Sequence, residues 1–173
     1  YNGGRWCTRD KHRPREKPLS ILAPSVQEVA GLVWNDEARL LGSAFWPGAL
    51  TLVLQDSRSI FPPGIRSESD KVAVRISSNP LVQRILKKLG APITSTSVNY
   101  PGEPPARSAS EVVEVIRRLN GNDIMLIDTG TLPISEPSTI VDCTVKPLEV
   151  LREGKVNISD LAKVIPELHG KAI

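Results

Sequence analysis

The strongest constraint on the fold is a strand-like stretch followed directly by a well-bounded helix, in residues 71–90. Residues 71–76 alternate between polar or small side chains and branched apolar ones, which is the two-residue period of a half-buried strand. Asn79 then supplies an N-cap, and the proline after it suits a first helical turn. The spacing predicts a helix over Pro80–Leu89 that ends at Gly90.

Weaker patterns extend this alternation along the chain. Apolar residues 19–23 are expected to form a buried element. Further helices are predicted over residues 26–33, 36–43, 108–119 (starting at Ser108 or Ser110) and 159–164. Further strands are predicted over residues 50–54, 92–96, 123–128, 138–143 and 148–152. Because several strands follow one another without a helix between them, we expect a twisted, mixed α/β sheet rather than a purely parallel one.

Charge and composition limit the classes of function. The net charge of the 173 residues is +3, but residues 1–17 alone carry +4, so the remainder is slightly acidic. This local basicity suits a small anionic ligand better than a long nucleic-acid track. Aromatic residues are 4% of the chain, which argues against base stacking. Two cysteines and two histidines exclude the usual zinc frameworks.

No apolar run reaches membrane-spanning length, and an intracellular protein is expected. Because the sequence does not begin with Met, we expect a piece to be missing before or within residues 1–10.

The basic segment is the first candidate binding element. Lys11, Arg13, Arg15 and Lys17 alternate with other residues, and two prolines keep the backbone extended. Alternate side chains of an extended chain point the same way, so the four cations can face a polyphosphate together. A solvated basic loop is the alternative interpretation.

Hydroxyl and amide side chains form the second candidate. Ser95, Ser97 and Asn99 alternate at the end of a predicted strand, where open α/β sheets bind ligands. Ser138 begins another strand. The alternative for both groups is a turn in which these side chains bond their own backbone.

Two strand arginines form the third candidate. Arg75 and Arg152 each lie among apolar residues, where a guanidinium requires an anion. That anion is either a ligand or a structural salt-bridge partner, for which Asp142 and Glu149 are available.

Several known catalytic motifs are absent from the sequence. It contains no P-loop, no HExxH and no GxGxxG, and its histidines have no serine or cysteine partner pattern. Cations and hydroxyls without a base–nucleophile pair suit phosphoryl or nucleotidyl transfer, which depends mainly on alignment and charge neutralisation, usually with Mg²⁺.

Six motifs in order resemble the YrdC-like domain of threonylcarbamoyl-AMP synthases over about residues 11–156. They are Lys11-x-Arg13-Pro14-x-x-Lys17-Pro18-Leu19, Trp46-Pro47-Gly48-x-x-Thr51, Val72-Ala73-Val74-Arg75, Ser95-Thr96-Ser97-x-Asn99-x-x-Gly102, Pro137-Ser138-Thr139-Ile140-Val141-Asp142 and Arg152-x-Gly154. The resemblance implies a mostly parallel, open α/β sheet with flanking helices and a central, positively lined cavity.

The resemblance also implies a reaction. L-Threonine, bicarbonate and ATP would give threonylcarbamoyl-AMP and pyrophosphate, with Mg²⁺ entering on ATP and no metal ligands from the protein. A downstream threonylcarbamoyl transferase complex would use the product to form N6-threonylcarbamoyladenosine at position 37 of tRNA. The implied protein is a monomer or homodimer of the cytoplasm, or of an organelle in a eukaryote, without a membrane partner.

The family's functional roles transfer to matching positions of this sequence. ATP binding is implied for Arg13, Lys17, Lys71, Ser97, Asn99 and Arg152, with Lys11 beside the phosphates. Threonine binding is implied for Arg75, Ser95 and Ser138. Lys11, Arg13 and Lys17 would stabilise charge, and no acid or base residue is assigned.

Some features depart from the family and keep other functions open. The family's N-terminal Pro-Thr-(Asp/Glu)-Thr-Val-Tyr-Gly-Leu motif is absent, and Val98, Pro101 and Leu22 replace more usual residues. The alternatives are a double-stranded RNA or tRNA-binding module and a paralogue with another carbamoyl- or nucleotide-dependent reaction. The expected organisation is a catalytic domain over residues 1–156 and a C-terminal helix or tail over 157–173.

Overall fold

A computed structural model describes residues 19–121 and 124–170, with only the backbone of residues 169 and 170. These residues fall into two compact units. Residues 19–95 and 136–170 form the sheet unit, and residues 96–121 and 124–135 form a smaller unit. The predicted C-terminal helix and the strand after it belong to the sheet unit.

The sheet unit is built on seven described strands. They are β1 (Ser20–Leu22), β2 (Leu50–Gln55), β3 (Lys71–Arg75), β4 (Ile93–Ser95), β5 (Thr139–Asp142), β6 (Glu149–Arg152) and β7 (His169–Gly170). Their order is β4-β1-β3-β2-β5-β6-β7. The pairs β1–β3, β2–β5 and β6–β7 are parallel, and β1–β4, β2–β3 and β5–β6 are antiparallel. The predicted mixed, open α/β sheet is confirmed.

The described residues contain four α-helices. They are α1 (Asp36–Phe45), α2 (Pro80–Leu89), α3 (Ala109–Arg118) and α4 (Ile158–Val164), of which only α3 lies in the smaller unit. Local capping explains where they begin. The side chains of Asn35, Asn79 and Ser108 accept backbone N–H groups of the first turns of α1, α2 and α3. Gly90 ends α2 in the left-handed conformation, as its position after the last helical residue predicts.

The pleat of the central strands separates a core face from a polar face. Leu50, Leu52 and Leu54 of β2 are at most 1% exposed and pack in one cluster with Val74 of β3 and Val141 of β5. Side chains one position out of phase point to the opposite face. The alternation in residues 71–76 therefore assigns the two faces correctly.

The predicted helix over residues 26–33 is wrong. Only Gln27–Val29 is helical, as a single 3-10 turn. The Ser25 hydroxyl bonds the side chains of Gln27 and Glu28 and does not cap a longer helix. Val33 leaves the turn to form a bridge with Gln55 of β2, its N–H donating to the Gln55 carbonyl at 2.9 Å. A tertiary strand contact thus replaces the second helical turn.

The predicted strand over residues 123–128 is also wrong for its described part. Residues 124–128 form neither helix nor strand, and Met125 is 87% exposed. An apolar run forms a strand only where a neighbouring strand accepts its hydrogen bonds, and no described strand pairs with residues 124–128.

Candidate active site

The polar face of the sheet brings together residues from four strands. Thr51 of β2 is the register partner of Ile140 of β5, which is the partner of Arg152 of β6. Directly opposite residues point to the same face, so Thr51 and Arg152 share it. Val53 follows Thr51 by two positions and therefore shares its face, and Val53 is the register partner of Ala73. Arg75 follows Ala73 by two positions, so it points to this face as well.

A backbone carbonyl fixes Arg75 in place. Its Nε donates to the carbonyl oxygen of Gly48 at 2.8 Å, while the Gly48 N–H donates to the Ile76 carbonyl at 2.8 Å. A Cβ at Gly48 would collide with the Phe45 carbonyl oxygen. The motif therefore requires glycine at position 48. The chain passes close to the end of α1 at this point, and the Gly48 carbonyl holds Arg75.

Arg152 is held in a similar way by Ser138. Its Nε and Nη2 donate to the Ser138 carbonyl oxygen at 3.0 and 2.7 Å, and Nη2 also lies 3.2 Å from Ser138 Oγ. Gly154, two residues later, lies so close to Pro137 that a side chain there would meet its carbonyl oxygen. The Pro-Ser-Thr and Arg-x-Gly motifs thus meet at one point of the sheet.

Both guanidinium groups bind backbone carbonyls, and Arg75 is half-buried whereas Arg152 is exposed. Within the described residues, neither Arg75 nor Arg152 forms an ion pair. Burial lowers the pKa of Arg75, and the nearby positive charge of Arg152 lowers it further. Arginine nevertheless remains protonated in proteins. Two like charges facing one region with donors to spare form a site for an anion with several oxygens.

The salt-bridge alternative involving Asp142 is wrong, because another cation occupies this carboxylate. Lys71 Nζ lies 2.9 Å from Asp142 Oδ2, and Asp142 Oδ1 accepts the N–H and hydroxyl of Thr144 at 2.8 and 2.6 Å. Burial alone would raise the pKa of Asp142, but the hydrogen bonds from Thr144 and Lys71 outweigh it and lower the pKa. Lys71 therefore has a structural partner, and its nucleotide contact stays a prediction.

Two buried hydroxyls had no role assigned in the sequence, Thr51 on the polar face and Thr139, the partner of Leu50, on the core face. Thr51, 4% exposed, lies with its Oγ1 2.8 Å from Ser138 Oγ. Thr139, fully buried, donates to the Val156 carbonyl and accepts the N–H groups of Gly154 and Val156. The sequence does contain a signal for Thr51, because this threonine alternates with the leucines of β2 and so points away from the core. Nothing local identifies Thr139, because its partners lie 15 to 17 residues away.

The remaining predicted site residues belong to other segments of the chain. In the smaller unit, Ser97 Oγ donates to Asn99 Oδ1 at 2.6 Å, and the Asn99 amide donates to the carbonyls of Tyr100 and Glu103. These bonds are local, and the ligand contacts predicted for Ser97 and Asn99 stay predictions. Ser95, in β4 of the sheet unit, accepts the Ser20 hydroxyl with its carbonyl at 3.3 Å. The predicted phosphate-binding residues Lys11, Arg13 and Lys17 lie outside the described residues.

A cavity of about 480 Å³ opens elsewhere in the sheet unit, between α1 and the segment after β1. Trp34, Arg39, Trp46 and Ile76 are among its lining residues, and no predicted site residue is. Residues 19–121 and 124–170 contain no group of three or more His, Cys, Asp or Glu side chains placed to hold a metal ion. Across these same residues, no helix has the length and apolar character needed to cross a bilayer.

Comparison with known proteins gives a consistent family. Residues 8–154 match the Sua5/YciO/YrdC family model, which is described as telomere recombination. Threonylcarbamoyl-AMP synthase of Pyrococcus abyssi is 33% identical over 94% of this chain and 49% of its own length. The protein of the same name from Vibrio campbellii is 33% identical over 83% of this chain and 77% of its own.

A solved structure of P. abyssi Sua5 in complex with L-threonine superimposes with a TM-score of 0.86, at 32% identity, over 97% of this chain and 49% of that one. This chain spans about half the length of the first relatives it matches. The family match covers most of the chain, and the sheet agrees with a solved relative. The chain belongs to the Sua5/YciO/YrdC family.

Proposed function

We propose that this chain is the catalytic domain of an L-threonylcarbamoyladenylate synthase. Threonine and bicarbonate condense to threonylcarbamate with loss of water. A carbamate oxygen then attacks the α-phosphorus of ATP, and the bond to pyrophosphate breaks. All three substrates of this reaction, L-threonine, bicarbonate and ATP, carry negative charge on oxygen atoms. The protein must therefore chiefly bind and neutralise anions.

The observation that carries the proposal is the pair Arg75 and Arg152, each fixed by a backbone carbonyl and without a carboxylate partner in the described residues. Among the described residues, no partner takes up either terminal nitrogen of Arg75 or Nη1 of Arg152. The two terminal nitrogens of Arg75 can bind carboxylate or phosphate oxygens in a bidentate manner, and Nη1 of Arg152 can donate to a further oxygen. We assign Arg75 to the threonine or carbamate carboxylate, Arg152 to the nucleotide, and Ser138, which contacts Arg152, to threonine.

The other substrates and partners are part of the same proposal. Phosphate oxygens supply the ligands that Mg²⁺ prefers, so the ion enters on ATP. The basic segment with Lys11, Arg13 and Lys17 would receive the triphosphate, assisted by Ser97 and Asn99. We expect a threonylcarbamoyl transferase acting on tRNA to consume the mixed anhydride product, in the cytoplasm or, in a eukaryote, in an organelle.

The test measures pyrophosphate release and threonylcarbamoyl-AMP formation with ATP, labelled bicarbonate and Mg²⁺, with and without L-threonine. Threonine-dependent product is expected. Arg75→Gln and Arg152→Gln each remove one charge from the site and should lower turnover about 100-fold. Arg84→Gln removes the same charge from the exposed surface of α2 and is the matched control.

Some results of this assay would contradict the proposed function, and others would favour an alternative. Absence of product from the unsubstituted chain, or turnover by Arg152→Gln within threefold of it, contradicts the proposal. If ATP binds but no product forms, a paralogous reaction becomes the better interpretation. RNA binding that falls steeply with salt would instead favour the RNA-binding module.

A further inference from the structure

The hydroxyl pair Thr51–Ser138 carries an inference that rests on the proposed function and deepens it. Both side chains are buried, at 4% and 8% exposure, and their oxygens lie 2.8 Å apart. Ser138 also accepts a bond from Arg152 Nη2 at 3.2 Å. In the described part of the chain, Ser138 Oγ is the hydrogen-bond partner of the Thr51 hydroxyl, and Thr51 has no other side-chain partner.

The shared bond has two possible directions, and each leaves one hydroxyl proton without an acceptor among the described residues. A hydroxyl has one proton and two acceptor positions, and a guanidinium only donates. Arg152 therefore fills one acceptor position of Ser138. If Ser138 donates to Thr51, the Thr51 proton has no acceptor among the described residues. Leaving a buried donor unpaired costs about 1–3 kcal/mol.

The opposite direction satisfies both hydroxyls once a ligand is present. Thr51 donates to Ser138, whose two acceptor positions are then filled by Thr51 and Arg152. The Ser138 proton remains for an oxygen of a bound ligand. Chains of hydrogen bonds polarise one another, so the donation from Thr51 strengthens the donation from Ser138.

We propose that Thr51 is a positioning residue that makes Ser138 a hydrogen-bond donor to a carboxylate oxygen of the amino-acid substrate. Thr51 itself touches no substrate. A carboxylate is the fitting ligand because it accepts only, and because Arg75 and Arg152 supply the positive charge beside it.

Kinetics on the full chain test this role. Thr51→Val keeps the shape but removes the hydroxyl, and Thr51→Ser keeps the hydroxyl. At saturating ATP, Thr51→Val should raise KM for L-threonine about tenfold, the size of one net hydrogen bond. We expect kcat and KM for ATP to stay within about twofold, since the lost bond serves the amino acid. Thr51→Ser should restore KM to within about threefold.

A double-mutant cycle separates positioning from a structural role. If Thr51 acts through Ser138, adding Thr51→Val to Ser138→Ala should change KM for L-threonine little further. The inference would be overturned by additive effects of the two substitutions or by an unchanged KM in Thr51→Val. It would also be overturned if Thr51→Val lowered kcat, both substrate affinities and the melting temperature together. The unsubstituted chain is measured first. Absence of threonine-dependent product there refutes the proposed function, and with it this inference, whereas the variant results refute the inference alone.

Discussion

Replacing Thr139 by valine tests how the site is held together. Thr139 begins β5, is fully buried, and contacts the backbone of Gly154 and Val156. Its hydroxyl donates to the Val156 carbonyl at 2.5 Å and accepts the N–H groups of Gly154 and Val156 at 2.9 and 3.2 Å. Valine has the same shape and cannot make any of these bonds.

The expected cost comes from three backbone groups that lose their partner. A net intramolecular hydrogen bond contributes about 1 kcal/mol, and a buried group left unpaired costs about 1–3 kcal/mol. Gly154 and Val156 are half-buried, so water reaches them in part and keeps each loss near the lower figure. We expect Thr139→Val to lower the free energy of unfolding by about 3 kcal/mol.

Urea unfolding followed by circular dichroism measures this loss as a shift of the midpoint at constant slope. Thr139→Ser is the matched control, because it keeps the hydroxyl and loses one methyl group, a change of about 1 kcal/mol. A loss below about 1 kcal/mol in Thr139→Val, or an equal loss in both variants, would refute the reasoning, since packing rather than hydrogen bonding would then explain the stability.

Two further predictions concern Asp142 and Gly48. Because the pKa of Asp142 lies below its ordinary value of 3.8, its contribution to stability is present above that pH and is lost as the pH falls through the folded-state pKa. Asp142→Asn should therefore cost about 2 kcal/mol in urea unfolding at pH 6 and progressively less below pH 4, and a cost independent of pH would contradict this. Gly48→Ala should lower the free energy of unfolding by about 1–3 kcal/mol, because the added methyl collides with the Phe45 carbonyl. The displaced Gly48 carbonyl should also lower turnover, and an active, equally stable Gly48→Ala variant would show that Arg75 does not depend on it.

The sequence by itself determined those helices and strands whose limits are set by capping residues and by local alternation of side chains. Helix α2 has its N-cap, its first-turn proline and its terminal glycine within a dozen residues, so its limits were predicted correctly. The alternation in 71–76 likewise assigned Arg75 to the polar face. The mixed sheet followed from strands without intervening helices, and the motif order indicated the family.

Only the tertiary structure decided which residues meet. Val33 forms a bridge with Gln55 instead of extending a helix, Asp142 pairs with Lys71 instead of an arginine, and residues 124–128 find no partner among the described strands. Thr51 and Ser138 are 87 residues apart in the chain and touch because β2 and β5 are neighbours. Propensity acts over a few residues, whereas strand pairing and hydrogen-bond partners depend on contacts that only the complete sheet supplies.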